Sequence, residues 1–345
     1  MRVRSIESAD LPALLALAQS TGVGVTTLPA NAERLGRRID ASLATLAQAP
    51  DPARASLLFV LDDPARPQHV VGICGLEGAL GMSEPWYNYR VGAAVHASRE
   101  LGLYRRLETL FLSNDLTGAA ELCSLFLHPD WRRDGNGSLL SKSRFLFLAE
   151  FPEYFSPRVI AEMRGVSDEH GRSPFWESLG RHFFSMEFSE ADYLTGIGNK
   201  SFIAELMPQH LIYTAFLSAP ARAVIGQVHA NTRPALALLT GEGFRYNGYV
   251  DIFDAGPAVE CPLADIRAVR DSLCLLAADR PPPAHAQPWL VSNRRRHGFA
   301  VTLAHTAPDA DGQLPLDAQA LAALAIAPGD SVRAVPLSRP HPNRP

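Results

Sequence analysis

The segment from Glu121 to Glu150 constrains this chain more than any other. "ELCSLFLHP" reads as a strand, with four apolar residues and a cysteine, closed by Pro129. The basic turn "WRRDGNG" follows, and "SLLSKSRFLFLAEF" then reads as a helix with Leu139, Leu140, Phe145, Leu148 and Phe151 on a mostly buried face. The turn fits R-x-x-G-x-G through Arg132, Gly135 and Gly137, with Asn136 between the glycines. Glycines let backbone amides converge with no Cβ in the way, and the helix start adds a favourable dipole. Strand, turn and helix together predict an anion site of a kind that suits a pyrophosphate, with Arg132 and Arg133 adding charge. It is neither a dinucleotide fingerprint, which requires G-x-G-x-x-G, nor a Walker A loop, since no G-K-[ST] follows.

Around this unit the chain alternates strands and helices. "VRSIES" predicts a strand and "ADLPALLALAQST" a first helix, with Asp10 as its cap and Pro12 in its first turn. The loop "GVGVTTLPAN" leads to "AERLGRRIDASLATLAQ", whose Leu35, Ile39, Leu43 and Leu46 are spaced for a helix. "ASLLFVLDD" and "HVVGICGLEGAL", joined by "PARPQ", predict a hairpin. "WYNYRVGAAVHAS" and "VIAEMRGV" predict strands. "SPFWESLG" opens a helix with Ser173 as cap and Pro174 first, and "NTRPALALLTGEGF" predicts another, capped by Asn231 and ended at Gly243. "RYNGYVDIFDAGP" reads as a strand and turn. Composition then shifts, and the proline-rich "DRPPPAHAQP" reads as a linker or long loop. Beyond it, "WLVSNRRRHGFAVTLAHTA", "LDAQALAALAI" and "DSVRAVPLS" predict strands around one short helix, and "SRPHPNRP" a frayed end. The expected fold is α/β over 1–253, with a second partial unit inside it, followed over 254–345 by a linker and a small β-rich appendage.

Composition removes several classes. With 345 residues and a formal charge of -4, nothing electrostatic points to nucleic acid. Cys74, Cys123, Cys261 and Cys274 form no CxxC pair or zinc-spaced cluster, so no metal is expected and the thiols read as reduced, in a cytoplasmic protein. Arg2 and Arg4 precede the apolar stretch Leu11–Ala18, but Glu7, Asp10 and Pro12 speak against a signal peptide. No run approaches the ~18 apolar residues of a membrane span. A G-x-S-x-G elbow is missing, which argues against a serine hydrolase.

The strand, R-x-x-G-x-G and helix resemble the acyl-CoA pyrophosphate loop of the GNAT superfamily of N-acyltransferases. More narrowly, the chain resembles the arginine N-succinyltransferase family. The likeness is carried by "TTLPAN", "DPARAS" to "GICGLE", "PWYNYRVG", "LFLSNDLTG", "ELCSLFLHPDWRRDGNGSLLSKSRF", "EMRGVSDEHGRSPFWESLGRHFF", "FIAELMP", "IGQVH" and "GFRYNGYVDIFDAGP". The resemblance implies a GNAT-like fold with a small β-rich C-terminal part. It also implies transfer of succinyl from succinyl-CoA to the α-amino group of L-arginine, the first step of a catabolic route ending in glutamate and succinate. Succinyl-CoA would be a co-substrate, with no permanently bound cofactor. The resemblance implies His229, in G-Q-V-H, as proton donor and Leu125, in E-L-C-x-L, as a succinyl-CoA contact. Related two-subunit enzymes also accept ornithine. Three readings therefore stay open: an arginine enzyme, an ornithine/arginine enzyme subunit, and a non-catalytic partner in a homo- or hetero-oligomer with a paralogous subunit.

The residues have their own physical logic. Leu125 has no polar side-chain atom, so it would meet a cofactor through its backbone, as a strand edge meets a peptide. A histidine titrates near neutrality and suits donation to a leaving thiolate. Glu121, Glu162, Asp168 and Glu169 are candidates to take the amine's proton or to meet a guanidinium. Cys123, near the loop, is the one nucleophile worth testing. It lies in an apolar strand with no basic neighbour in sequence, so direct attack by the amine is expected.

Overall fold

A computed structural model describes residues 1–20, 28–196 and 206–338. Most of the Gly/Thr-rich loop before Asn31, the start of "FIAELMP" and the proline-rich end lie outside these residues. The strands are β1 (Arg2–Ser5), β2 (Ser56–Asp63), β3 (Arg66–Glu77), β4 (Asn88–Ser98), β5 (Leu103–Ser113), β6 (Ala120–Leu127), β7 (Arg158–Glu162), β8 (Ile212–Tyr213), β9 (Arg245–Val250), β10 (Pro257–Pro262), β11 (Leu273–Asp279), β12 (Gln287–Asn293), β13 (Ala300–Thr306), β14 (Gln313–Leu316) and β15 (Ser331–Pro336). They form one continuous sheet in the order β14-β11-β15-β12-β13-β1-β2-β3-β6-β7-β10-β9-β4-β5-β8.

Helices α1 (Leu11–Gln19) and α2 (Ala32–Ala47) cover one face, and α3 (Asn136–Glu150) covers the other. Strand alternation decides which residue meets which helix. Leu58, Val60, Ile73 and Phe126 pack with Leu14, Leu35 and Ile39, whereas Leu57, Phe59, Leu61, Leu76, Leu122 and Ala161 pack with Phe145, Phe147 and Leu148 of α3. Asn31 caps α2 as its residue type suggests, accepting from the Arg34 amide at 2.9 Å.

Asp10 departs from the expected cap. A single 3-10 turn, Ser8–Asp10, precedes α1. This places Asp10 at the third position of the turn, where it accepts from the Glu7 amide (2.8 Å) and pairs with Arg4 (2.7 and 2.8 Å). Helix α3 is not buried on one face but all round, and Ser141, Lys142, Ser143 and Arg144 are as enclosed as its leucines. The reason is the extra layer supplied by the C-terminal strands: Leu290, Phe299, Val301 and Val335 close over the side of α3 that would otherwise meet solvent.

Two strands carry little sequence signal. β5 pairs with β4 along its whole length, Asn88↔Ser113 to Ser98↔Leu103, and its first half is solvent-exposed, so no buried face imposes alternation there. β10 is enclosed between β7 and β9, where continuous burial hides the period. Residues 280–286 connect β11 to β12 within the C-terminal part. That part is β-rich, with its own small core of Trp289, Val291, Leu314, Leu316, Leu321 and Leu324 under the helix Ala318–Leu324. A separate cluster around Tyr89, Phe175, Trp176, Phe184 and Ile252 packs the helices Pro174–Ser178 and Gly180–Phe184 against β4 and β9.

Buried charge ties the layers together. Glu242 is fully buried and accepts from Arg267 (Nη2 at 2.8 Å) and from the Ala268 amide (2.9 Å), while Lys142 Nζ lies at 2.9 Å. The same two cations reach the end of β15: Lys142 donates to the Leu337 carbonyl at 2.7 Å and Arg267 to the Pro336 carbonyl at 2.9 Å. Removing one member of such a buried group leaves the others unpaired. Glu242→Ala is therefore expected to destabilise the fold by about 3–5 kcal/mol, as broken buried pairs do, measured by denaturant unfolding. A loss below 1 kcal/mol would show that the cluster contributes little.

Candidate active site

The site begins where two strands separate. β6 and β7 run parallel and pair only at Ala120↔Val159 and Glu121↔Ile160 among the described residues. β7 then follows β10, with Glu162↔Ala258 and the Met163 amide donating to the Pro257 carbonyl at 3.0 Å. β6 stays with β3. A wedge opens between them, and one of its walls is the backbone edge of β6 from 122 onward. A bulge sits on that wall: the register passes from Gly75↔Cys123 to Ile73↔Phe126, so Ser124 and Leu125 together stand against Cys74. Ser124 takes φ 55° there. Gly75 permits the close approach, because a Cβ would lie 2.9 Å from Cys123 Sγ and 3.1 Å from the Leu57 carbonyl oxygen. From α3, the buried Arg144 donates to the Cys123 carbonyl at 3.4 Å and to its own Ser141 carbonyl at 3.0 Å. Leu125 is half-buried against the main core and belongs to the wall.

The glycine turn stands at the far end of β6. A short turn, Pro129–Trp131, precedes it. Arg132 is exposed, and its Nε donates to the Leu127 carbonyl at 3.1 Å, fastening the turn to the strand. Asp134 and Gly135 both take left-handed φ (53° and 77°), and Gly135 is the residue before α3. Asn136 is buried and already committed: its amide donates to the Arg133 carbonyl and its Nδ2 to the Trp131 carbonyl, both at 3.0 Å. The amides of Gly135, Gly137 and Ser138 have no partner among the described residues and lie at the positive end of the α3 dipole. Gly137 would have room for a Cβ within the protein, its nearest neighbour being Leu127 Cδ2 at 4.0 Å. Gly135 has a left-handed φ, and a Cβ there would lie 3.0 Å from Leu303 Cδ1 of β13.

On the β7 side the His229 amide donates to the Arg164 carbonyl at 2.9 Å, two residues beyond Glu162. His229 itself caps the turn Ala230–Thr232, its Nδ1 accepting from the Asn231 amide at 3.2 Å. The cap expected at Asn231 is thus supplied two residues earlier, and Asn231 lies inside the turn. With Nδ1 so engaged, Nε2 is the ring atom left to face a ligand. Partial burial, and then the charge of Arg164, lower the ring's pKa below its ordinary value of 6.5.

The four candidate carboxylates separate by position. Asp168 is exposed and enclosed in its own turn, accepting from the His170 and Arg172 amides and from Arg172 Nε at 2.9 Å, and these bonds lower its pKa. Glu169 is exposed beside His170. Glu121 and Glu162 alternate with Leu122 and Ala161, which face α3, so both lie on the α2 side of the sheet next to the wedge. Glu162 accepts from Asn88 Nδ2 at 2.7 Å.

Cys123 shares that side. It does have a basic neighbour, Arg38, whose Nη2 lies 3.9 Å from Sγ; α2 brings it across 85 residues of sequence. Burial, reinforced by Glu77 and Glu121, still outweighs Arg38 and pushes the thiol up to about 12. A thiol that keeps its proton at neutral pH is a poor nucleophile. Arg38, Ser124, Glu77 and Arg144 join the site without any local motif, through contacts between distant segments.

A family model described as "Arginine N-succinyltransferase beta subunit" matches residues 1–268, and a second, for that subunit's C-terminal domain, matches 273–336. The chain belongs to the arginine N-succinyltransferase beta subunit family. It is 57% identical over 338 residues to the arginine N-succinyltransferase subunit beta of Pseudomonas aeruginosa, covering 98% of each chain. To the arginine N-succinyltransferase of Escherichia coli it is 53% identical over the same share. Among solved structures, subunit AI of the arginine/ornithine succinyltransferase from Pseudomonas aeruginosa superposes with a TM-score of 0.88 at 34% identity, covering 98% of each chain. Members of this arginine N-succinyltransferase family are acyltransferases, and the α/β fold is GNAT-like with a small β-rich C-terminal part. No helix among the described residues is long and apolar enough to cross a membrane.

Two outcomes follow from the site's geometry. Gly137→Val, whose Cβ would lie 4.0 Å from Leu127 Cδ2, is expected to weaken succinyl-CoA binding at least about tenfold, or 1.4 kcal/mol, in calorimetric titration. Gly135→Val should do the same with added backbone strain. Unchanged affinity in folded Gly137→Val would remove the turn from the site. Cys123→Ala should keep most activity, and mass spectrometry after mixing with succinyl-CoA alone should find no acyl adduct; a kinetically competent adduct would overturn direct attack.

Proposed function

We propose that the chain transfers a succinyl group from succinyl-CoA to the α-amino group of L-arginine by direct attack in a ternary complex. The observation that carries this reading is the parted β6 edge, which ends at the unpartnered amides of Gly135, Gly137 and Ser138. The pyrophosphate meets those amides with Arg132 nearby, and the amide-bearing pantetheine arm pairs with the β6 backbone at Leu125. Asn136 serves by holding the turn. The donor is a co-substrate released each cycle. A cytoplasmic setting fits the four free thiols.

In this reading the neutral amine attacks the thioester carbon, the C–S bond breaks, and the amine's proton reaches the sulfur by way of His229. The productive complex holds one mobile proton shared between amine and ring. Below the ring's pKa both groups are protonated and the amine cannot attack. Activity on the free enzyme therefore rises with pH through a value below 6.5, the direction in which burial and Arg164 move the ring. Glu121 and Glu162, the carboxylates nearest the wedge, are the groups placed to receive the amine and the guanidinium.

The same residues would serve an ornithine acceptor, and the solved relative's printed name includes both amino acids. We assign the division of the chain at 253/254 a functional sense: the reacting groups come from residues before it, and the C-terminal strands buttress the glycine turn through Leu303. Assembly with a second copy or a paralogous subunit is part of this proposal.

His229→Ala is expected to lower kcat by roughly 10²–10⁴-fold, to leave succinyl-CoA affinity nearly unchanged and to lose the rising limb of the pH profile. Because His229 also caps a turn, His229→Asn is the control: asparagine restores the capping acceptor but cannot titrate. Activity regained in His229→Asn would make the role structural. Activity of the purified chain alone on succinyl-CoA with arginine, against ornithine, tests the acceptor and whether a partner is required.

A further inference from the structure

His229 is fixed locally through its ring, whose Nδ1 accepts from the Asn231 amide, but its place beside β7 is set by backbone bonds to other segments. Its amide donates to the Arg164 carbonyl at 2.9 Å, and three residues earlier the Gly226 amide donates to the Ala255 carbonyl at 2.9 Å. We propose that Asp254 is a positioning residue for His229, orienting both of those carbonyls at once through the peptide units that carry them. This rests on the reading above that His229 conveys the proton.

Each carbonyl shares a peptide unit with an amide that Asp254 holds. The Arg164 carbonyl is joined to the Gly165 nitrogen, which donates to Asp254 Oδ2 at 2.6 Å. The Ala255 carbonyl is joined to the Gly256 nitrogen, which donates to Asp254 Oδ1 at 2.8 Å. Both units are trans, and a trans unit is planar with its N–H and C=O pointing opposite ways. Fixing the N–H therefore fixes the direction of the C=O. The carboxylate grips two peptide units from one side, and the Gly226–His229 segment is bonded to the other. Hydrogen bonds to an ionised carboxylate are the stronger kind, and a peptide group polarised at its N–H is a better acceptor at its C=O.

The surrounding backbone leaves this frame little freedom. The Met163 amide donates to the Pro257 carbonyl at 3.0 Å and the Asp251 amide to the Gly256 carbonyl at 2.8 Å. Asp251 Oδ1 accepts from the Asp254 amide at 3.0 Å, closing the turn between β9 and β10. The end of β7 and this turn are in direct contact: a Cβ on Gly256 would run into the Met163 carbonyl oxygen, and one on Gly165 would lie 2.5 Å from the Asp254 carbonyl oxygen. Backbones this close need their buried amides paired, and the Asp254 side chain, itself buried, pairs two of them. An asparagine of the same shape accepts through one oxygen only, and its NH2 would oppose the second amide.

The test is a double-mutant cycle on the full chain with Asp254→Asn, His229→Ala and the two together. Turnover is expressed per succinyl-CoA-binding site, counted by calorimetric stoichiometry, so that misfolded chain does not enter. Asp254→Asn alone is expected to lower kcat roughly 10–100-fold, as an ångström-scale misplacement of a reacting group does, and to leave succinyl-CoA affinity unchanged. In the His229→Ala background the same substitution should lower kcat by less than about twofold, because the group it positions is already gone. Should Asp254→Asn not fold, Asp254→Ser, with one hydroxyl acceptor and a smaller side chain, carries the same cycle. An equal loss in both backgrounds would make Asp254 structural only and overturn the proposal, as would full activity of the single variant. Near-full activity of His229→Ala by itself would instead remove the proton role, and this proposal with it.

Discussion

Parallel pairing between β6 and β7 lasts for two residue pairs, and the arrangement of the site follows from where it stops. Two strands in one sheet part only if each has somewhere else to place its hydrogen bonds. β7 is held by β10 along Arg158–Glu162, and β6 by β3 through the bulge at Ser124 and Leu125. The bulge in turn depends on Gly75, which allows Cys123 to approach, and on Arg144, which holds the Cys123 carbonyl from below. The edge so released is hydrogen-bonding backbone in a largely apolar setting, a surface that an amide-bearing arm satisfies.

The cost of this opening is borne by an unusually enclosed α3. The helix must bring unpartnered amides to the mouth of the wedge at one end and stay fixed along its length. Aromatic packing of Phe147 with Phe59, Phe151 and Phe299 holds its apolar side. Lys142 holds another through Glu242 and the Leu337 carbonyl, and so links the helix to the strands added at the C-terminus. Those strands thereby do two things: they bury α3 on all sides, and through Leu303 they restrict the left-handed Gly135 that starts it. In the proposed reading such support matters, because preorganised donors need no reordering when an anion arrives.

Charge is distributed in keeping with this division. On the α3 side the buried cations are tied to carbonyls and to Glu242. On the α2 side lie charges of both signs, with Arg38 near Glu77 and Glu162 accepting from Asn88. Cys123 lies among them with its proton held by burial.

Periodicity, caps and the glycine turn determined much of this in the sequence itself. The β2–β3 hairpin, α2 with its Asn31 cap, the strand–turn–helix of β6 and α3, and the helix ending at Gly243 are local: each follows from residues within about one turn of one another, and tertiary packing had only to accept them. Where packing chose instead, the sequence pattern was silent or misleading. β5 has no buried face along its first half and β10 no exposed one, so neither shows a period. Asp10 and Asn231 have the composition of caps, but the chain turns before them and gives the capping roles to other atoms. The bulge at Ser124, the approach of Arg38 across 85 residues and the placing of His229 beside Arg164 belong to tertiary structure alone, because each is fixed by contacts between segments that no local spacing relates.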